Sequence, residues 1–151
     1  MENLPFIHHK QTIKHNPPHQ NGDCMRTVVA SLLCKPTVEE VPHFAEGLTF
    51  KPEYSDVEGA ACINRMRAYL KEQGYVLFSV TLVGDWDVVK EYLSFQIDVP
   101  IMLSGTSVRG TNHSVIYYNG ETYDSHPDNG GLVGPMTTGV YAAEVLVKVE
   151  Q

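Results

Sequence analysis

The dipeptide Asn119-Gly120 constrains the fold of this chain more than any other feature of the sequence. Both residue types tolerate the positive φ angles of tight hairpin turns, and here they join two runs with strand character, residues 113–118 and 121–124. If the turn closes tightly, Asp124 faces Val115 and lies on the same sheet face as residue 126, which faces His113. The sequence therefore predicts an antiparallel hairpin in which His113 and Asp124 meet across a diagonal.

Helices are predicted mainly in the first half of the chain. Apolar residues after Asp23 recur at steps of three and four and predict a buried helix that Pro36 ends. A longer helix is predicted to end at Gly74, a residue type favoured just after a helix. Its core-facing residues are predicted to be Ile63, Met66 and Leu70.

Strands are predicted mainly in the second half. Residues 75–82, 99–104 and 140–149 have strand patterns, Asp85 is placed to cap a short helix at 88–95, and residues 105–112 are expected to be a flexible stretch. Helices first and strands later are typical of an α+β protein, with N-terminal helices packed on a mostly antiparallel sheet.

Length and composition predict a single domain over residues 1–151, with residues 1–20 as an extended N-terminal arm. No apolar run reaches the 18 or so residues that a membrane span needs, and the N-terminus lacks a secretory signal pattern. A net charge of -7 and scattered basic residues argue against nucleic acid and membrane partners. Three cysteines without a CxxC pair fit a reducing compartment, so a cytoplasmic location is expected.

Cys24 follows a loop rich in Pro and Gly and stands at the predicted start of the first helix. The positive end of a helix dipole and its unpaired N–H groups favour thiolate over thiol, so a cysteine there is placed to be a nucleophile. The alternative is a buried, unreactive thiol. A histidine that takes the thiol proton and a third group that orients it would complete a catalyst, and His113 and Asp124 are the candidates.

These motifs resemble the papain-like cysteine peptidase superfamily. Asp-Cys opens a helix, and some ninety residues later come a His-Ser-Val-Ile-Tyr strand, a hairpin turn and Tyr-Asp-Ser-His-Pro. The similarity is closest to bacteriocin-processing (double-glycine) peptidases and small phage and bacterial relatives, and it spans residues 20 to about 127. It implies a papain-like fold with Cys24 as nucleophile, His113 as general base and acid, and Asp124 as the orienting group.

The resemblance also implies a glutamine about six residues before the cysteine, which stabilises the oxyanion. That position is Pro18 in this chain, so Gln20 becomes the predicted donor and Asn21 the second choice. The family's glycine after the cysteine is Met25 here, and Asp124 is followed by Ser-His before the proline.

The expected function is hydrolysis of a peptide or amide bond through a thioester, with a peptide or protein as substrate and no cofactor. Peptidase, amidase, deamidase and acyltransferase chemistry all remain open, because all pass through a thioester. A second hypothesis is a catalytically inactive papain-like protein that holds a peptide or small ligand in its cleft. A metal site at His15 and His19 is disfavoured, because Pro17-Pro18 prevents the helix that would align them. The oligomeric state is left open.

Overall fold

The computed structural model describes residues 3–49, 51, 53, 55–94 and 98–150. Its strands form one six-stranded antiparallel sheet in the order β1-β6-β2-β3-β4, and β5 pairs with β2. The strand bounds are β1 Tyr75–Leu82, β2 Ile101–Ser107, β3 Asn112–Tyr118, β4 Glu121–Asp124, β5 Leu132–Gly134 and β6 Tyr141–Lys148. The helices are α1 Cys24–Leu32, α2 Ser55–Glu72 and α3 Trp86–Ser94, with a short 3-10 turn at Val38–Glu40. The predicted α+β class with an antiparallel sheet is confirmed.

The sheet has a hydrophobic core on each face, because alternate residues of its strands point in opposite directions. Met102 and Ile116 pack with α1 and α2, whereas Leu103 and Val115 pack with α3. Met66 and Leu70 of α2 are fully buried, as predicted. Ile63 is only half-buried, and Cys62 takes its place in the core.

The hairpin has the predicted register. Val115 pairs with Asp124, and the turn residues Asn119 and Gly120 have φ angles of 50° and 83°. Positive φ at both central residues matches the strand twist, which is why this dipeptide gives the tightest connection. The strand β1 is also confirmed over the whole predicted range 75–82.

Several predicted boundaries are wrong. Helix α1 ends at Leu32, before Pro36, because Cys34 adopts a left-handed φ of 52° and the N–H groups of Cys34 and Lys35 cap the carbonyls of Ser31 and Ala30. Strand β2 starts two residues later than predicted and continues to Ser107. Part of the expected flexible stretch is therefore strand, because it pairs with β3 on one side and β5 on the other.

Helix α3 is capped by Asp85, whose carboxylate accepts the Val88 N–H at 3.0 Å, as predicted. The predicted end of this helix at residue 95 lies outside the described residues. Strand β5, which has only three residues, was not predicted. Within the described ranges, no helix is long and apolar enough to cross a membrane.

The N-terminal arm, residues 3–20 as described, contains one isolated bridge between Asn16 and Gln20 and otherwise no helix or strand. It is not detached from the rest of the chain. Phe6 is only 4% exposed and packs edge-on against Tyr118 and Tyr123 of the hairpin. Phe6 therefore anchors the arm in the hydrophobic core.

Candidate active site

Cys24 is the first residue of α1, the position that the sequence predicts for it. Helix α1 packs against β3, the strand that carries His113. The preceding residue, Asp23, is 1% exposed, and its carboxylate accepts hydrogen bonds from the Ile13 N–H, the Thr12 hydroxyl and the Arg26 guanidinium, each at 3.0 Å. These bonds fix the start of the helix and with it the position of the half-buried Cys24 side chain.

His113 and Asp124 are in direct contact, so the diagonal contact predicted from the hairpin is confirmed. His113 Nε2 lies 2.6 Å from Asp124 Oδ1, and both side chains are buried. Asp124 Oδ1 also accepts the His126 N–H at 2.8 Å, while Oδ2 accepts the Gly131 N–H at 2.7 Å. The carboxylate is therefore held by its own loop and by the imidazole together.

The Cys24 side chain lies close enough to the His113 ring to help raise the pKa of His113. Because Nε2 is engaged with Asp124, Nδ1 is the ring nitrogen that remains for the sulfur. Cys24, His113 and Asp124, which come from α1, β3 and the end of β4, are thus neighbours in one place, and this group is called here the contact chain. The His126 ring packs edge-on against His113 at a centroid distance of 6.3 Å.

The electrostatics of the His113–Asp124 pair favour the charged form of both groups. Burial lowers the pKa of His113, but the hydrogen bonds and charges of Asp124 and Cys24 outweigh it and raise that pKa to about 9. Burial would raise the pKa of Asp124, but hydrogen bonds from His113, His126 and Gly131 hold it well below its usual range. The imidazolium form of His113 is therefore stable at neutral pH beside the Asp124 carboxylate.

Both predicted oxyanion donors already bind backbone carbonyls through their side-chain amides. The Gln20 side chain is exposed, and its Nε2 donates to the Lys14 carbonyl at 2.7 Å. The Asn21 amide donates to the carbonyls of Ala45, at 3.1 Å, and Leu48. Asn21 would have to give up an existing bond in order to donate to an oxyanion, whereas the bond to Lys14 uses only one of the two N–H groups of the Gln20 amide, and the role of both residues stays a prediction.

Gln11 was not considered from the sequence, although it lies beside the start of α1. Its Nε2 donates to the Ile13 carbonyl at 2.9 Å, and the same carbonyl accepts the Asp23 N–H at 3.2 Å. Gln11 is 8% exposed, and its Oε1 is buried without a hydrogen-bond partner in the described part of the chain. Thirteen residues separate it from Cys24, so no local spacing indicated it.

The other two thiols differ from Cys24 in environment. Cys34 is exposed, whereas Cys62 is 5% exposed and its sulfur lies 3.7 Å from the Met25 sulfur. Burial, followed by the charge of Cys24, raises the pKa of Cys62 to about 11. Met25, which replaces the family's glycine, packs partly buried against the core on the α2 side of the sheet.

The arrangement can transfer a proton between a thiol and an imidazole whose orientation a carboxylate fixes. That chemistry needs no metal, and the residues that carry it come from three separate elements of the fold. Comparison of the chain with protein-family models, with curated proteins and with solved structures found no match.

Proposed function

We propose that this protein is a papain-like cysteine hydrolase that cleaves a peptide or amide bond through a thioester on Cys24. The observation that carries the proposal is the 2.6 Å contact between His113 and Asp124 beside the helix start that holds Cys24, whose side chain is near enough to the imidazole to help raise its pKa. A nucleophile at the start of a buried helix, a base on the neighbouring strand and an orienting carboxylate are the three parts that thiol catalysis requires.

The reaction begins with the Cys24–His113 pair as thiolate and imidazolium. The thiolate attacks the substrate carbonyl and a C–S bond forms, while the carbonyl electron pair moves to oxygen. His113 then gives its proton to the leaving nitrogen as the C–N bond breaks, which releases an amine and leaves the acyl group on Cys24. Asp124 keeps Nε2 occupied by its 2.6 Å contact, so that Nδ1 faces the reacting atoms throughout.

A water molecule completes the cycle. His113, now neutral, accepts a proton from the water, and the resulting hydroxide attacks the thioester. The C–S bond breaks, a carboxylic acid leaves, and Cys24 and His113 return to the ion pair. If an amine replaces water at this step, the same site performs acyl transfer.

The oxyanion needs donors aimed at the developing negative charge. The backbone N–H of Cys24 lies in the first turn of α1, where N–H groups have no partner within the helix. Gln20 and Asn21 are the donors proposed from the resemblance, and the buried Gln11 amide beside Asp23 is a third. Alanine at the true donor should lower kcat by about 100- to 1000-fold, whereas alanine at the other two should not.

The hypothesis of an inactive binding protein requires a ligand site. A cavity of about 390 Å³ is lined by residues that include Arg67, Lys71 and Tyr75, near the outer strand of the sheet. Neither Cys24 nor His113 lines it. This cavity therefore does not favour a ligand bound beside the thiol.

The proposal is tested by incubating the protein with a defined mixture of peptides and sequencing the products by mass spectrometry. New peptide termini indicate a peptidase, and conversion of Gln or Asn to the acid indicates a deamidase. Both products should vanish with Cys24→Ala and fall by a factor on the order of 100 or more with His113→Ala. Cys34→Ala is the matched control, because that exposed thiol lies outside the contact chain. Turnover that survives in Cys24→Ala would contradict the proposal.

A further inference from the structure

Residues 8–13, called here the connecting segment, run between the two halves of the candidate site. At one end the segment lies along the chain that follows β4. The His8 ring donates from Nε2 to the Asp124 carbonyl at 2.7 Å, and the Gln11 N–H donates to the Ser125 carbonyl, also at 2.7 Å. Backbone atoms of the residue that orients His113 are therefore bound to a segment more than a hundred positions away.

At its other end the connecting segment is bound to the start of α1. The Ile13 N–H donates to Asp23 Oδ1 at 3.0 Å, and the Asp23 N–H donates back to the Ile13 carbonyl at 3.2 Å. Asp23 immediately precedes Cys24. Six consecutive residues therefore connect the start of α1, which holds the proposed nucleophile, to the end of β4, which holds the Asp124 carboxylate.

Lys10 lies at the centre of this connection. Its ammonium donates to the Asp124 carbonyl at 2.7 Å, to the His126 carbonyl at 3.3 Å and to Asn129 Oδ1. All three acceptors belong to the loop 124–131. That loop also supplies the His126 and Gly131 N–H groups that hold the Asp124 carboxylate, so the ammonium and the carboxylate share one loop.

A lysine is suited to this position because an ammonium has three donors and no acceptor. Without the ammonium, the partly buried bonds to the Asp124 and His126 carbonyls would be lost, the Asp124 carbonyl would keep the His8 ring as a donor, and the loop would shift to hydrate the His126 carbonyl. The Asp124 carboxylate would then move with the loop, since it is bound to two N–H groups of that loop.

We propose that Lys10 is a positioning residue, which closes the loop 124–131 around its ammonium and thereby holds the Asp124 carboxylate against His113. The inference rests on the proposed function, because it assigns a task within that site. It gives the N-terminal arm a role in catalysis in addition to its place in the core. Lys10 touches neither the substrate nor the reacting atoms.

The test follows the titration of His113 by NMR in the full-length protein carrying Lys10→Met, Lys10→Arg or Lys14→Met. The titratable groups in contact with His113 are Cys24, Asp124 and His126, and none of them is changed. In the wild type the pKa of His113 is raised to about 9. Lys10→Met should lower it by about one unit, because a weaker contact with Asp124 stabilises the imidazolium less. Lys10→Arg keeps the cation and should restore most of the shift.

Lys14→Met is the matched control, because it removes an exposed lysine of the same arm and should leave the titration of His113 unchanged. An unchanged pKa of His113 in Lys10→Met would overturn the inference. If Lys10→Met does not fold, Asn129→Ala is used instead, because it removes one acceptor of the ammonium. It should also lower the pKa of His113, and an unchanged pKa would overturn the inference. The titration needs no substrate, so failure of the peptide assay with a normal Lys10 effect would reject the proposed function alone.

Discussion

The hairpin that carries His113 and Asp124 and the connecting segment that leads to Cys24 are held by different kinds of contact. The hairpin is a backbone ladder closed by a two-residue turn, and its members lie within twelve positions of one another. The connecting segment has no ladder, and side chains and single backbone bonds tie it to residues ten to more than a hundred positions away. The hairpin register thus brings the base and the carboxylate together by local geometry, and Lys10 supports the loop of the carboxylate from a distance, whereas the nucleophile is placed by long-range contacts.

This difference means that the two halves of the site should fail in different ways. A change in the hairpin alters the register or the ionisation of His113 while most of the fold survives. Loss of the contacts between the connecting segment and the start of α1 leaves buried polar groups without partners, and the cost appears as lost stability, whereas Lys10 acts through the loop 124–131.

The largest loss of stability is expected from Asp23→Ala, where the connecting segment is bound to the start of α1. The substitution leaves the Arg26 guanidinium, which is 9% exposed, without its carboxylate, and it frees the Ile13 N–H and the Thr12 hydroxyl. Removing one partner of a buried ion pair lowers the free energy of unfolding by about 3–5 kcal/mol, which urea unfolding measures.

The matched control is Asp128→Ala, which breaks the Arg109–Asp128 pair on the hairpin side. Those side chains are 31% and 40% exposed, so the expected loss is within about 1 kcal/mol. Equal losses in Asp23→Ala and Asp128→Ala would show that the contrast between the two regions does not hold.

The second effect concerns the hairpin and appears as a pH dependence. Binding a proton to His113 is more favourable in the folded protein, where its pKa is raised from 6.5 to about 9, than in the unfolded chain. The stabilisation is therefore fully present below pH 6.5 and is lost as the pH rises to about 9. Its size is about 3 kcal/mol.

Urea unfolding of the wild type and of His113→Gln between pH 6 and pH 9.5 checks this expectation. Groups other than His113 titrate in both proteins, so the difference between the two unfolding free energies isolates the imidazole. That difference should shrink steadily across the range. A difference that stays constant would mean that the Asp124 and Cys24 contacts do not stabilise the imidazolium.

The third effect is smaller and arises beside the hairpin, at Gly105, which pairs with His113. A Cβ at this glycine would lie 2.6 Å from the Gly134 carbonyl oxygen, so Gly105→Ala should destabilise the fold by about 1–3 kcal/mol. Gly59→Ala in α2 meets no atom within 4 Å and should stabilise it by about 0.5–1 kcal/mol. If close strand packing supports His113, thermal unfolding should show a lower melting temperature for Gly105→Ala and a higher one for Gly59→Ala.

The same contrast explains what could be predicted from the sequence. The register of Val115 with Asp124 follows from Asn119-Gly120 alone, because a two-residue turn leaves one way to pair the strands. Cys24 at the start of α1 followed from the apolar period and the loop before it. The contact between α1 and β3 had no local signal, and only the resemblance to papain-like peptidases suggested it.

The sequence was least informative where contacts are long-range. The sequence predicts Lys10 only as part of an extended arm, because no neighbouring residue indicates that its hydrogen-bond acceptors lie in the loop 124–131. Gln11 was overlooked for the same reason. Cys34 follows the end of α1 in a left-handed conformation, which Gly and Asn adopt far more often than Cys. The sequence therefore predicts that the helix ends at Pro36 instead.

The central claim is that His113 activates Cys24, and the rate of alkylation by iodoacetamide at each cysteine tests it most directly. Mass spectrometry separates the three thiols, and the exposed Cys34 serves as the internal reference within every sample. At pH 6 we expect Cys24 to react at least tenfold faster than Cys34 in the wild type, because the imidazolium stabilises the thiolate. In His113→Ala the advantage should disappear. Equal rates for Cys24 and Cys34 in the wild type, or an advantage that survives in His113→Ala, would contradict the account.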